Sequence, residues 1–425
     1  MKIYTNPGRD QWPALLQRPV ADAFTLEQSV RNVLQAVKTG GDAAVRQFTE
    51  QFDTVTIDTL QVDPSAFQAA EAVLSPALKA AIEQARQNIE TFHRQQLSGP
   101  EKISTMPGVT CWRKSVGIEK VGLYIPGGTA PLFSTILMLA VPAVLAGCKE
   151  IVLCSPPGKD GQLHPAILYA ARLTGITKVF RIGGVQAIAA LAYGTESVPR
   201  VYKLFGPGNQ FVTCAKQLVQ QEGLAIDMPA GPSEVAVYAD ETAHPAYVAA
   251  DLLSQAEHGV DSQVLLVASS RSMLEAVQQE LAKQLAVLPR AALAEKALAN
   301  STLIVMDNTA NAMDLLNEYA AEHLILSCAN ASELAAQVVN AGSVFLGHYS
   351  PESVGDYASG TNHTLPTNGY ARAYSGVSVD SFVRKITFQE LTPEGLQQIG
   401  STVMEMATAE GLEAHANAVR IRLQA

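Results

Sequence analysis

Gln255 and His258 stand three residues apart in Gln255-Ala256-Glu257-His258-Gly259, at the end of a helical pattern whose apolar positions include Val248, Leu252 and Leu253. That spacing puts an amide oxygen and an imidazole on one side, where both could reach one metal ion; the alternative is a surface pair with His258 at the negative end of the helix dipole. Glu322-His323 directly precedes the apolar run Leu324 to Leu326. A carboxylate can orient or deprotonate water, and an imidazole titrating near neutrality can move protons. Neighbours in a strand point to opposite faces, so joint use requires a turn or helix end here; otherwise the pair is an exposed acid beside a satisfied histidine. Asp356, Asn362 and His363 fall in the polar, glycine-bounded stretch Gly355 to His363, which reads either as a functional loop or as a satisfied turn. Glu410 and His415 lie near the C-terminus, where a lone histidine is ordinarily solvated or packed.

Three glycine-bearing loops follow apolar runs. The first is Tyr124-Ile125-Pro126-Gly127-Gly128-Thr129, followed by Pro131 in position to open a helix. Its glycines permit close backbone approach, and the helix N-terminus would favour an anion such as a pyrophosphate, though a plain strand-to-helix turn has the same composition. The second is Gly183-Gly184-Val185-Gln186. The third, Gly206-Pro207-Gly208-Asn209-Gln210-Phe211, begins like a dinucleotide fingerprint but has Phe211 where the third glycine belongs. Together the three argue for a small-molecule crevice more strongly than any one does.

These groups need elements to hold them. A chain of 425 residues has room for several domains, and 48% hydrophobic against 16% charged residues excludes disordered and low-complexity classes. With 30 Lys+Arg against 40 Asp+Glu, a formal charge of -10 and no basic run, nucleic acid is not an expected partner. The longest apolar stretch, Leu132 to Gly147, is interrupted by Pro142 and is short for a bilayer, so it reads as a buried helix and no membrane association is expected. Cys111, Cys148, Cys154, Cys214 and Cys328 are odd in number and scattered without a C-x-x-C pair, which suits a reducing compartment and core thiols better than disulfides or a zinc knuckle. No secretory signal opens the chain, and the expected location is cytoplasmic.

Thr25 to Val37 has apolar residues at helical spacing, a Thr25-x-x-Gln28 capping box ahead and Gly40-Gly41 behind; Pro64 to Leu74 and Pro76 to Phe92 read as two more helices. Nine short apolar runs then alternate with helical segments: Val121 to Ile125, Ile151 to Cys154, Val179 to Ile182, Val201 to Phe205, Val235 to Tyr238, Val264 to Val267, Leu303 to Met306, Leu324 to Leu326 and Val344 to Leu346. The expected fold class is α/β: two doubly wound, Rossmann-like parallel-sheet domains, with ligands outside the carboxyl ends of the strands. Met228 to Ser233 reads as the crossing between them. The expected division is an N-terminal segment 1–22, one α/β domain from 23–120 with 235–375, a second from 121–234, and from about Gly376 a helical tail, 376–425, that packs on another surface.

The segments VGLYIPGGTAPLFSTILMLAVPA, FGPGN, DMPAGPSE, DLLSQAEHG, EHLIL, NAGSVFLG, SPESVGDYASGTNHTLPT and GLEAHANAV closely resemble the histidinol dehydrogenase family over nearly the whole chain. The resemblance implies a zinc-dependent, four-electron oxidation of L-histidinol to L-histidine through the bound aldehyde, with two NAD reduced. It implies that Gln255, His258 and Asp356 are zinc ligands and that His415 is the fourth, donated across a domain-swapped homodimer. Glu322 and His323 match the catalytic pair. Ser233, His363 and Glu410 match substrate contacts, as do the zinc ligands and His323, while Tyr124, Gln186 and Asn209 match positions that touch NAD. By the same resemblance 121–234 is the NAD domain, and the tail serves the partner's site. Two positions depart from the family: Ala321 stands before Glu322, and Val260 after His258, where proline is usual. The rival readings are a relative oxidising another polar alcohol, a zinc hydrolase or lyase, and a non-catalytic binding protein.

Overall fold

The computed structural model of the chain describes residues 1–18, 23–127, 130–229 and 231–424. All nine apolar runs form strands, divided between two parallel sheets. The first sheet runs Lys178–Arg181, Glu150–Ser155, Lys120–Tyr124, Lys203–Phe205, Ala225–Ile226. The second runs Lys2–Thr5, Thr302–Val305, Gln263–Ala268, Glu234–Ala239, His323–Ser327, Ser343–Leu346. Strand Glu234–Ala239 shows why unbroken apolar runs belong here: every residue is buried, yet Val235, Val237 and Ala239 join one core cluster and Ala236 and Tyr238 the other. A strand covered by helices on both faces needs apolar residues at odd and even positions alike. The apolar stretch after Pro131 forms the helix Phe133–Leu145, buried over most of its length. Among the described residues no helix is long and apolar enough to cross a membrane.

Several expectations change. Helix Ala23–Asp53 begins ahead of the Thr25 cap and continues past Gly40-Gly41, which marks a kink at Gly41 rather than an end. The helices Ala23–Asp53, Pro64–Val73 and Pro76–Arg94 do not join the later strands as the expected division has it; their apolar faces pack on the first sheet. Val30, Val33 and Val37 share a cluster with Val152 and Leu204, while Phe67, Ile82 and Ile89 share one with Leu123 and Ile136. An amphipathic face shows that a helix packs, without showing on which sheet. The tail after Gly376 is not uniformly helical: Val383–Leu391 is a strand, paired antiparallel with Val109–Gly117, which in turn pairs with Lys102–Met106. Trp112 stacks on its register partner Phe388 at 5.3 Å between ring centroids. The Pro107-Gly108 turn was the available signal for this sheet. The helices Pro393–Ala409 and Glu413–Leu423 close the tail, leaving Met406, Leu412 and Ile421 exposed.

Candidate functional site

Each doubly wound sheet has one place where successive connections diverge to opposite sides. In the first it lies between Lys120–Tyr124 and Lys203–Phe205. The carboxyl ends of these strands open on a cleft of about 800 Å³ lined by Tyr124, Gly184, Gln186, Asn209 and Asp53. All three residues expected to touch NAD therefore face one cavity; Gly128 and Thr129 of the first loop lie outside the described residues. The Gly184 N–H donates to Tyr124 Oη at 3.1 Å, and burial pushes the Tyr124 pKa up to about 12. Asn209 caps helix Gln210–Gln221, its Oδ1 accepting from the N–H groups of Phe211 and Val212. Gly206 is required for the approach of its strand, since a Cβ there would stand 2.0 Å from the Tyr124 carbonyl oxygen. Gln186 is fully buried; its Nε2 donates to Asp53 Oδ2 at 3.3 Å, and its Oε1 has no partner. Burial pushes the Asp53 pKa up to about 6. An unused buried acceptor and helix N-termini, which favour anions, fit a phosphate-bearing cofactor with hydroxyl donors.

The second sheet diverges between Glu234–Ala239 and His323–Ser327. Here the clustered chemistry lies at the amino ends of the strands, against the expectation that every ligand loop follows a strand. The return helix gives the reason: Pro245–Ala256 follows strand Glu234–Ala239 and runs back along the sheet, so its C-terminus reaches the amino edge with Gln255 and then His258. A helix C-terminus favours positive charge. Gln255 is fully buried, and both of its side-chain amide atoms lack partners. Asp356 lies in a short helix, Glu352–Tyr357, rather than in the loop that the flanking glycines suggested.

Glu322 and His323 share a side because they do not share a strand. Helix Thr309–Tyr319 ends on Ala320 in the left-handed conformation, with φ 53°, and the strand starts only at His323. Glu322 Oε2 accepts the Glu234 N–H at 3.0 Å and lies 3.6 Å from His323 Nδ1. His323 Nδ1 is also 3.3 Å from the Glu234 carbonyl oxygen. Its Nε2 is buried, 3.4 Å from Asp356 Oδ1, without hydrogen-bond alignment to any partner. Arg18, itself partly buried, holds the buried Glu234 in place through an ion pair at 2.6 Å. Gly342 admits the Glu322 backbone, because a Cβ would meet the Glu322 carbonyl oxygen at 2.5 Å. Gly342→Ala is therefore expected to cost about 1–3 kcal/mol, as overpacked sites do, and to lower turnover by displacing the pair. Urea unfolding checks it: an unchanged midpoint would contradict the packing.

Burial works against charge on His323, but the carboxylates of Glu352, Glu322 and Asp356 overcome it and raise its pKa well above the ordinary value. Burial pushes Glu322 up to about 8 and does the same for Glu352. It holds His258 and His363 below their ordinary values. His363 Nδ1 lies 2.8 Å from the Asp356 carbonyl oxygen and its Nε2 3.0 Å from Thr135 Oγ1. Asn362 is a latch rather than a reactive group: its Nδ2 donates to the Met138 carbonyl oxygen at 2.6 Å. Ser233 directly precedes strand Glu234–Ala239 at this edge, and its carbonyl oxygen accepts the Gln263 N–H at 3.2 Å.

His258, Glu352 and Asp356 place ligand atoms within 4.8 Å of one another. Glu352 escaped the sequence reading, although its i, i+4 relation to Asp356 was a usable signal. Glu410 and His415 are exposed on the tail, outside this group. One imidazole, an amide with both atoms unpaired and buried carboxylates fit a divalent cation with nitrogen and oxygen ligands. Free Cys148 is pushed up to about 11 by burial, and Cys154 is raised further, as befits core thiols.

Residues 16–423 match the family model described as histidinol dehydrogenase. The chain is 60% identical over 423 residues to a histidinol dehydrogenase of Bacteroides thetaiotaomicron, covering 100% of this chain and 99% of that protein. It is 54% identical over 422 residues to one from Xanthomonas campestris, covering 99% and 98%. The crystal structure of histidinol dehydrogenase from Elizabethkingia anophelis superposes with a TM-score of 0.97 at 51% identity, covering 100% of this chain and 98% of that one.

Proposed function

The chain belongs to the histidinol dehydrogenase family, and from that premise we propose that it oxidises L-histidinol to L-histidine through bound histidinaldehyde, reducing two NAD in the last steps of histidine biosynthesis. The observation that supports the reading is the grouping of His258 and Asp356 near His323 and Glu322, with the buried, unpartnered amide of Gln255 three residues before His258. Gln255, His258 and Asp356 would hold a zinc ion, with His415 supplied by a second chain. Zinc, when bound, supplies a Lewis-acid grip on the imidazole and amine of the substrate and so positions the reacting carbon. NAD, when bound in the cleft of Tyr124, Gln186 and Asn209, accepts hydride.

The residues of the chain manage protons and water. With a bound cation drawing on the Asp356 charge that otherwise keeps the ring protonated, and with Nδ1–H donating to the Glu234 carbonyl oxygen, the proton acceptor of neutral His323 is Nε2, which takes the hydroxyl proton as the alcohol becomes the aldehyde. Glu322 is oriented through Oε2 by the Glu234 N–H, which leaves Oε1, once the group is ionised above about pH 8, to draw a proton from the water that adds to the aldehyde. Once it has passed the first proton to solvent, His323 Nε2 takes the hydroxyl proton of the hydrate as the acid forms. Alcohol, water and two NAD⁺ give carboxylate, two NADH and three protons. Ser233, His363 and Glu410 are assigned to substrate contact, Glu410 from the tail. Five free cysteines suit a reducing, cytoplasmic setting.

Turnover of histidinol against amino alcohols without an imidazole tests the substrate: comparable rates would favour a relative that oxidises another alcohol. A zinc hydrolase or lyase would turn over without forming NADH, and a binding protein would be indifferent to His323→Asn. The exposed apolar residues of the tail support a swapped homodimer. Mixing His415→Asn chains with His323→Asn chains is expected to give heterodimers with activity well above either parent, since one shared site would be intact. Confirmed heterodimers without rescue would place each site within one chain.

A further inference from the structure

We propose that Glu352 is a further ligand of the cation site in the substrate-free protein, binding the ion through a carboxylate oxygen beside His258 and Asp356 and yielding its place when the imidazole and amine of the substrate bind. The inference rests on the cation reading above and adds a residue to it. Glu352 opens the helix Glu352–Tyr357 one turn ahead of Asp356, so the two carboxylates leave the same side. Ligand atoms of His258, Glu352 and Asp356 already lie within 4.8 Å of one another. Bonds of about 2.0–2.2 Å to a common ion would set neighbouring donors roughly 3–3.5 Å apart, so a small contraction closes the group on one cation.

The Glu352 carboxylate is otherwise poorly served. Oε1 is 3.9 Å from His323 Nδ1, beyond hydrogen-bond reach, and Oε2 is buried with no partner. A buried, unsatisfied oxygen is costly unless something cationic reaches it. Both unpartnered amide atoms of fully buried Gln255 are an independent sign that the pocket takes a ligand. Charge points the same way. Gln255, His258, Asp356 and a partner histidine would supply one negative charge between them, leaving a divalent ion one charge short of neutrality in the interior. Glu352 closes that gap.

The test is zinc affinity of the full-length chain without histidinol or NAD, by competition with a chromophoric chelator, joined to the visible spectrum of the Co²⁺-loaded protein. Glu352→Gln is expected to weaken zinc binding at least about 10-fold, with Co²⁺ bands shifted, while Glu352→Asp, which keeps the charge, recovers part of the affinity. Wild-type affinity and spectrum in Glu352→Gln would overturn the proposal. So would equal losses in both variants with equally lowered thermal midpoints, which would make the role one of packing. A wild-type chain that binds no zinc would sink the cation reading itself and this ligand with it.

Discussion

His323→Asn is expected to lower kcat by at least about 10²-fold, because a positioned general base typically contributes roughly 10²–10⁴. His323 is placed for that work by backbone. It is the first residue of a strand held between Glu234–Ala239 and Ser343–Leu346, so its backbone is fixed by the ladder, and burial restricts the rotamers open to its ring. Asparagine is smaller and can still meet the Glu234 carbonyl oxygen, but it offers no nitrogen able to take a proton. Zinc content and the KM for histidinol should change far less than kcat. A near-normal rate would refute the role of His323, and a matching loss of zinc would make it a structural support of the metal site.

Glu322→Gln should separate the two oxidations. The amide oxygen can still accept the Glu234 N–H that orients Glu322, so the geometry of the edge is kept. What disappears is the carboxylate that draws a proton from water. The alcohol-to-aldehyde step should survive, while the aldehyde-to-acid step slows by about 10²-fold, within the usual range for general-base assistance. Product analysis under single turnover reads this as NADH falling from two toward one per histidinol, with aldehyde accumulating. Equal slowing of both steps would contradict the division of labour between Glu322 and His323.

The sequence made parts of this architecture legible for physical reasons. Two-sided burial forces apolar residues on odd and even positions, so strands such as Gln263–Ala268 stood out as unbroken runs. The antiparallel strands Lys102–Met106 and Val383–Leu391 are largely exposed, and without that pressure their composition carried little signal. Gln255 and His258 were readable as a pair because three residues of helix bring side chains together. The nearness of His258 to Asp356 is not readable from spacing, since it depends on the return helix bringing its C-terminus to the amino edge of the sheet. Glu352 shows the opposite case: its relation to Asp356 is local, but Asp356 reads as part of the loop Gly355 to His363, and the helix that begins ahead of that stretch at Glu352 carries no clear signal.

The most direct test of the central claim is the amount of NADH formed per histidinol consumed by the zinc-loaded wild-type protein, with the product identified. Two NADH and one histidine are expected for each histidinol, with NADH formation lost when the metal is removed and restored when zinc is returned. Histidinol consumed without NADH, or with only one and free aldehyde as the end product, would contradict the four-electron oxidation.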